Sequence, residues 1–448
     1  MPQDAHGLTL TTTTASADAF DHVITGYLKY RADLPQRVAA LLAADPECAL
    51  SYCLQGYMFM LAYKASLIHA ARQSHATAAR LAAHATPREK LHVEALAAWI
   101  EGELDAAIAL WEQILAAHPH DVLALRLSHF TNFWLGRPHD MAVSIERVMP
   151  AWSEAYPGYA SVLACRCFAQ EESGNLLAAE PSGRRAIELD PGDLWAAHAV
   201  AHVLEMQGRR AEGIEFLTTL APNWDGANNL RHHLWWHCAL YHLELGSHAE
   251  VLRLYDTSFR NLAAPLVQAQ PDVYIDVQNA VSMLFRLERL GVDVGQRWHE
   301  LADQAETRIG DCQSAFTLPH WMMALAAAGR EDAAARMIEG MRAFANGNGT
   351  IQKIVRDYAL PVTEAARAHR QGRHAEAAAL MRPALGGMYR LGGSHAQQDV
   401  LEQLFLDAAQ KSASEPDQRL ILQRVAGRRS LAPQRWAGWR EAANHLPL

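Results

Sequence analysis

Glycines at a nearly constant spacing constrain the fold of this chain more than any other feature of its 448 residues. Each glycine follows one helical pattern of apolar residues and precedes a second pattern that is rich in alanine. Successive members of the series are 34, 38, 34 and 38 residues apart: Gly102, Gly136, Gly174, Gly208 and Gly246. Glycine suits the position just past a helix C-terminus, so the series predicts a stack of paired helices.

The length of the repeating unit indicates which kind of helix pair this is. A helix–turn–helix unit of about 34 residues is the tetratricopeptide period. The second helix of such a unit has a small residue at the helix crossing and a closing proline, as Ala107 and Pro119 indicate for the first unit. Alanine and leucine dominate while β-branched residues are sparse, which favours helix over sheet. We therefore predict an all-α, tetratricopeptide-like right-handed superhelix, an α-solenoid with terminal helical caps.

Four segments are predicted along the chain. They are a flexible, threonine-rich N-terminal tail at 1–20, an N-terminal helical region at 21–100, the repeat superhelix at 101–410 and a C-terminal helical cap at 411–448. The first helix is expected to begin near Phe20, and the stretch Ala49–His69 has the pattern of one helix. We find no stretch with the alternating pattern of a β-strand.

Charge and cysteine usage limit the partners and the setting that we expect. The net charge is −9 without long runs of like charge, which argues against the basic stripe that binds nucleic acid. The six cysteines form no C-x-x-C pair, so a reduced, cytoplasmic setting is predicted. We find neither a signal-peptide pattern nor an apolar run of membrane-spanning length. Neither a nucleic acid nor a membrane is expected as a partner, and the sequence leaves the oligomeric state open.

Histidines recur at helical spacing in the stretch LWAAHAVAHVLEMQG, Leu194–Gly208. His198 and His202 are four residues apart, and Glu205 lies three residues further on. Residues at these spacings share one helix face, and Trp195 lies one turn earlier. The stretch predicts a helix, capped by the preceding aspartate, with two imidazoles and a carboxylate along one side.

The tetratricopeptide register predicts where this side faces. The first helix of each unit lines the concave side of the superhelix. His198, His202 and Glu205 are therefore expected to face a groove. In the next unit the same register directs His233 and Trp236 into the groove and leaves His237 at its shoulder. Neighbouring helices pack about 10 Å apart, so His202 and His237 are expected to reach one ligand.

The leading interpretation is a small-molecule-binding protein whose groove performs acid–base or anion-binding chemistry. In it, His202 and His237 are the catalytic residues, and Glu205 orients one imidazole and raises its basicity. The remaining groove residues line the ligand: Trp195, His198, His233 and Trp236. Whether the protein is an enzyme stays open at this point.

Three alternatives compete with this interpretation. In the first, a tetratricopeptide scaffold binds a peptide in the groove. In the second, a metal-dependent enzyme holds a divalent metal ion with the paired H-x-x-x-H helices, that is, with His198, His202, His233 and His237. The intervening glutamate of the H-E-x-x-H zinc hydrolases is absent, and no cofactor other than this metal ion is predicted. In the third, the histidines are structural and bond to loop carbonyls and neighbouring helices.

Two further places carry candidate ligand-binding residues. The stretch GGSHAQQD combines a capping box, Ser394 with Gln397, with His395 and Asp399 at the same helix start. A helix N-terminus preceded by two glycines also suits an anion. Asp276 is an isolated polar residue in the stretch YIDVQNA. The chain has no G-x-S-x-G elbow, P-loop or G-x-G-x-x-G fingerprint.

Four stretches together resemble the tetratricopeptide repeat protein 38 family over about residues 20–410: AHAVAHVLEMQGR, HLWWHCALYHLELG, MLFRLERLGVDVGQRW and LGGSHAQQDV. The resemblance implies an all-helical repeat fold and no agreed activity. It also implies that the following residues occupy positions characteristic of the family: His202, Glu205, His233, Trp236, His237, Asp276, Arg297, Gly392, Gly393, Ser394, Gln397 and Asp399. The chain departs from the family at Gln398, where arginine is frequent.

Overall fold

The computed structural model describes residues 1–446, and its secondary structure is helical apart from two isolated β-bridges. Four helices precede the repeats: α1 (Thr14–Leu28), α2 (Leu34–Ala44), α3 (Ala49–Leu61) and α4 (Ala65–Leu81). Pro447 and Leu448, the last two residues of the predicted C-terminal cap, lie outside the described residues. Among the helices described, none is both long and apolar enough to cross a bilayer.

Five helix pairs follow in the order that the glycine series predicts. They are α5 (Pro87–Ile100) with α6 (Leu104–Ala117), α7 (Val122–Trp134) with α8 (Pro138–Val148), α9 (Tyr159–Glu172) with α10 (Leu176–Leu189), α11 (Leu194–Met206) with α12 (Arg210–Leu220), and α13 (Leu230–Glu244) with α14 (His248–Leu254). All five glycines of the series have a positive φ, between 65° and 84°. The predicted all-α, tetratricopeptide-like architecture is confirmed.

The C-terminal half continues with helices of less regular length. They are α15 (Pro265–Ala269), α16 (Tyr274–Arg289), α17 (Arg297–Thr307), α18 (Thr317–Ala327), α19 (Glu331–Phe344), α20 (Thr350–Ile354), α21 (Leu360–Arg370), α22 (His374–Met381), α23 (His395–Lys411), α24 (Glu415–Ala426) and α25 (Arg440–His445). Short 3₁₀ segments lie at Ala82–His84, Met149–Ala151, Ala221–Asn223, Leu385–Leu391 and Pro433–Arg435, and π-helical turns at Tyr255–Phe259 and Val355–Ala359.

Three expectations for the N-terminal part need correction. The first helix begins at Thr14 rather than near Phe20, because the Thr13 side chain accepts a hydrogen bond from the Ser16 amide and caps the helix there. The segment before it, expected as a flexible tail, packs on the fold: Leu10 is buried, and the Thr11 amide donates to Glu89. The stretch Ala49–His69 forms parts of α3 and α4 instead of one helix, since Tyr63 adopts a positive φ of 47° between them.

Helix α23 lies at the centre of the fold. Every residue from Ala396 to Ala409 is buried, whereas a surface helix buries only one stripe. Helices α16, α21, α22 and α24 pack against it. Helix α23 is therefore enclosed by other parts of the same chain.

The superhelix also closes on itself. The Thr350 amide donates to the Gly102 carbonyl at 3.2 Å, and the Arg308 guanidinium donates to the Tyr63 carbonyl at 2.7 Å. Near the C-terminus, the Ser430 amide donates to the Met206 carbonyl at 3.1 Å, at the end of α11. These contacts join residues more than 200 positions apart, so the concave side becomes an enclosed interior.

A pair of glycine substitutions tests the closure. Gly136 and Gly174 both end first helices with a positive φ, but a Cβ on Gly136 would stand 2.0 Å from the Tyr389 carbonyl oxygen, while one on Gly174 meets nothing within 4 Å. Gly174→Ala is expected to cost about 1–2 kcal/mol of unfolding free energy for its backbone conformation alone. Gly136→Ala is expected to cost about 1–3 kcal/mol more, because a backbone contact of the closed ring must shift. Urea unfolding measures both, and equal losses would contradict the closure.

Candidate functional site

Four imidazoles meet between the first helices of two successive repeats. His198 and His202 lie on α11, and His233 and His237 lie on the adjacent α13. The Nε2 atom of His198 is 3.0 Å from that of His202 and 3.1 Å from that of His233. One ring nitrogen from each of the four residues lies within 4.8 Å of all the others. We refer to these four side chains as the histidine cluster.

Flat aromatic rings enclose the histidine cluster. Trp195 stacks on His198 with the ring centroids 4.5 Å apart, and Trp236 stacks on His233 at 5.1 Å with the planes 13° apart. Phe168 from α9 contacts His198 and His202. The four histidines are only 0–2 % exposed, so the cluster is shielded from bulk water.

Hydrogen bonds on the outer side orient two of the rings. His237 Nδ1 lies 3.1 Å from Glu205 Oε2, and His233 Nδ1 lies 3.0 Å from Asn279 Oδ1. A carboxylate or amide oxygen can only accept, so these contacts place the proton on Nδ1 and leave the Nε2 lone pair directed inward. His237 Nε2 has no hydrogen-bond partner within the part of the chain that the structure describes.

The surroundings keep three of the four imidazoles uncharged. Burial lowers the pKa of His198, His202 and His233 well below the usual range, and the neighbouring imidazoles lower it further. Neutral imidazole is the form that coordinates metal ions. His198, His202 and His233 therefore present neutral nitrogen donors near a common centre.

Two acidic residues at the end of α9 lie beside the cluster. His202 Nδ1 is 3.7 Å from a carboxylate oxygen of both Glu171 and Glu172. Burial raises the pKa of Glu172 to about 7, and burial together with the Glu172 charge raises the pKa of Glu171 well above its usual range. The sequence predicts an anion site at the start of α23. The carboxylate of Glu172 occupies this site, because the His395 amide donates to it at 3.3 Å. The tetratricopeptide register directs both glutamates toward the groove, and that signal could have marked them as site residues.

The remaining predicted ligand-binding residues make other contacts. Asp276 accepts from His232 at 3.0 Å. Ser394 and Gln397 bond to each other in the expected capping box. Asp399 accepts from Trp439 and Gln403 and pairs with Arg286 and Arg429. Among residues 1–446, these four form no hydrogen bond to the histidine cluster, and their polar groups stabilise the fold around it.

The groove expected to hold a ligand is an interior. All thirteen residues of α11 are buried, including Trp195 and Glu205. The register predicts the face of each residue, but the folded chain leaves none of these residues exposed. A peptide or small molecule in contact with the cluster would therefore require the ring to open.

Two of the separations between inward nitrogens are close to those of ligands on one metal ion. Two nitrogens bound to Zn²⁺ at about 2.0–2.1 Å in tetrahedral geometry stand about 3.3 Å apart. The two closest Nε2–Nε2 separations, 3.0 and 3.1 Å, are near this value. Ligating histidines in proteins usually donate their second N–H to a carboxylate or carbonyl, which is the arrangement of His237 with Glu205. The site is therefore a candidate metal centre.

Comparisons with known proteins add little to this geometry. No protein-family model matches the chain. The human IFIT1 dimer with m7Gppp-AAAA is 12 % identical, covers 97 % of this chain and 94 % of its own, and has a TM-score of 0.41. A monomeric mutant of IFIT1 with Gppp-AAAA is 13 % identical, with coverage of 97 % and 96 % and a TM-score of 0.40. Naa15/Naa10 bound to HypK-THB is 13 % identical, with coverage of 96 % and 73 % and a TM-score of 0.26. Similarity at this level carries no argument about function.

The outer hydrogen bond of His237 yields a test. Glu205→Gln replaces the carboxylate by a neutral amide, and loss of such a partner weakens metal affinity by about 10–100-fold. Asp276→Asn is the matched control, because it alters an equally buried carboxylate–histidine pair outside the cluster. We expect Zn²⁺ titration with a competing chelator to show the loss for Glu205→Gln only. Equal affinities in the two variants would remove Glu205 from the site.

Proposed function

We propose that this protein is a tetratricopeptide-like metalloprotein whose buried centre binds a divalent transition-metal ion. The ligands are His198, His202, His233 and His237. The observation that supports the proposal most strongly is the convergence of one nitrogen from each ring within 4.8 Å in a water-excluded interior. The ion joins two successive repeats at the point where the helices are most completely enclosed.

Hydrogen bonding alone leaves the histidine cluster unsatisfied. A neutral imidazole has one N–H and one lone pair, but His198 Nε2 faces two other Nε2 atoms at once. His233 and His237 direct lone pairs inward because their protons are bonded outside. A buried polar atom without a partner costs about 1–3 kcal/mol. One cation satisfies all four lone pairs together, which no arrangement of the ring protons achieves.

The donor set narrows the choice of ion. Imidazole suits zinc, copper, iron and nickel, whereas magnesium and calcium prefer oxygen ligands. Four protein ligands leave no position for a substrate, which is typical of a structural zinc site. Such an ion contributes its binding energy to folding. In this proposal the metal ion stabilises the closed ring, and Glu205 balances part of its charge.

This proposal explains the geometry better than the interpretations that require an open groove. Acid–base chemistry on a small molecule needs a substrate in contact with His202 and His237, whose exposure is 0 %. A peptide ligand in the groove needs more space still. The metal ion requires neither contact with a substrate nor space for a peptide, since it occupies only the volume between four nitrogens.

We also propose that the chain belongs with the tetratricopeptide repeat protein 38 family that its motifs resemble. Two structural groups support this. His202, Glu205, His233 and His237 contact one another in a single buried site. The second group is the start of α23. There Gly392 and Gly393 have φ values of 85° and 80°, and Ser394 caps the helix with Gln397.

Metal analysis of the purified protein tests the proposal. We expect about one equivalent or more of a transition metal in the protein purified without chelators, or after dialysis against Zn²⁺. His198→Gln and His233→Gln are expected to weaken Zn²⁺ binding at least about tenfold. His129→Gln is the matched control, since His129 is equally buried and contacts Trp195 but lies outside the cluster. It should retain the affinity of the unaltered protein.

Two results would contradict the proposal. One is less than about a tenth of an equivalent of any transition metal, with no uptake of added Zn²⁺. The other is binding that survives both His198→Gln and His233→Gln, because the ion would then be held elsewhere.

A further inference from the structure

A second group of metal-ligating side chains adjoins the histidine cluster. Glu171, Glu172 and His395 each offer one ligand atom within 4.8 Å of the others. His395 Nδ1 lies 3.9 Å from Glu172 Oε2. Glu171 and Glu172 belong to α9 and His395 begins α23, so the group joins a repeat helix to the central helix.

Several polar atoms of this group lack partners. Both carboxylate oxygens of Glu171 are buried, and apart from a proton shared with Glu172 they have no hydrogen-bond donor among residues 1–446. The Nδ1 atom of His395 is also buried and has no hydrogen-bond partner among these residues. An unpaired buried carboxylate is among the most costly groups that a protein interior can hold. These atoms indicate that a positively charged ligand belongs between them.

His202 lies between the two groups and is the observation that connects them. Its Nε2 atom faces the histidine cluster, 3.0 Å from His198. Its Nδ1 atom faces the glutamates, 3.7 Å from each, and has no hydrogen-bond partner among the described residues. Both nitrogens of one fully buried ring are therefore directed at sets of metal ligands.

We propose that Glu171, Glu172 and His395 bind a second divalent cation, which the imidazole of His202 bridges to the ion in the histidine cluster. The proposal rests on the proposed function for the first ion. The mixed nitrogen and oxygen donors suit Zn²⁺ or Mn²⁺. Binding breaks the N–H bond of His202, whose proton passes to solvent as the imidazolate takes both cations. His395, whose side chain is 24 % exposed, gives the second ion a path from solvent.

The nearby arginines are bonded to other carboxylates, and within residues 1–446 none of them forms a hydrogen bond to Glu171 or Glu172. Arg428 is bonded to Glu402 through both of its terminal nitrogens. Arg429 pairs with Asp399 at 3.2 Å and stacks on Trp436 at 3.7 Å. Arg428 shares Glu402 with Arg424, and Arg429 shares Asp399 with Arg286. The carboxylates at the end of α9 have no cation bonded to them within the described chain.

A bound proton shared by Glu171 and Glu172 is the competing explanation. The substitution Glu171→Gln distinguishes a shared proton from a bound cation. Glutamine reproduces the shape and neutrality of a protonated glutamate but is a poor metal ligand. If Glu171 holds a proton, the substitution leaves metal binding unchanged. If Glu171 holds a cation, the substitution removes one equivalent.

The experiment uses the full chain, freed of metal with a chelator and dialysed against Zn²⁺. We expect about two equivalents in the unaltered protein and about one in Glu171→Gln. Glu146→Gln is the control, because it removes one carboxylate from the surface of α8, where Glu146 pairs with Arg166 of α9. It should keep both equivalents. His395→Gln, which lies at the edge of the site, is the second variant in case Glu171→Gln fails to fold.

Copper loading provides an independent readout. Two Cu²⁺ ions joined by one imidazolate couple their spins, so the unaltered protein should lose much of its electron paramagnetic resonance signal at the second equivalent. Glu171→Gln should retain a full signal from one ion. Equal Zn²⁺ content in Glu171→Gln and the unaltered protein, with loss of binding in His198→Gln, would overturn the second site and leave the first. No binding in the unaltered protein would overturn both.

Discussion

The packing of α11 against α13 is the contact on which the account of this protein depends. Each helix carries two histidines four residues apart, so each presents two rings on one face. The tetratricopeptide stacking turns these faces toward each other and brings His202 and His237 to a centroid distance of 4.5 Å. A pair of histidines on one helix is common in proteins, whereas two facing pairs in a dry interior require an explanation.

The enclosed interior keeps bulk water away from the four imidazoles. Open solenoids expose their concave side, but here contacts such as Thr350 with Gly102 close the ring and the four histidines are buried. Water can no longer satisfy the imidazole lone pairs, and the low dielectric makes each unsatisfied group more costly. Glu205 and Asn279 fix the ring protons on the outside. Burial, ring orientation and the lack of a hydrogen-bond partner for His237 Nε2 among the described residues together favour a bound cation.

The sequence predicted the parts of this structure that local patterns determine. The glycine series located the helix pairs, and Asp193 caps α11 as expected. The four histidines could be placed on two neighbouring faces because helical spacing and repeat register are local rules. Closure of the ring could not be predicted, since Gly102 meets Thr350 across more than 200 residues and no period links them. The partner of Asp276, His232, could not be predicted either, because 44 residues separate them in the sequence.

X-ray absorption at the metal edge of the purified protein tests the central claim most directly. The account predicts a first shell of nitrogen ligands at about 2.0–2.1 Å for zinc, with the outer-ring scattering that several imidazoles produce. A first shell that contains sulfur, or a protein without an absorption edge for any transition metal after incubation with Zn²⁺, would contradict it.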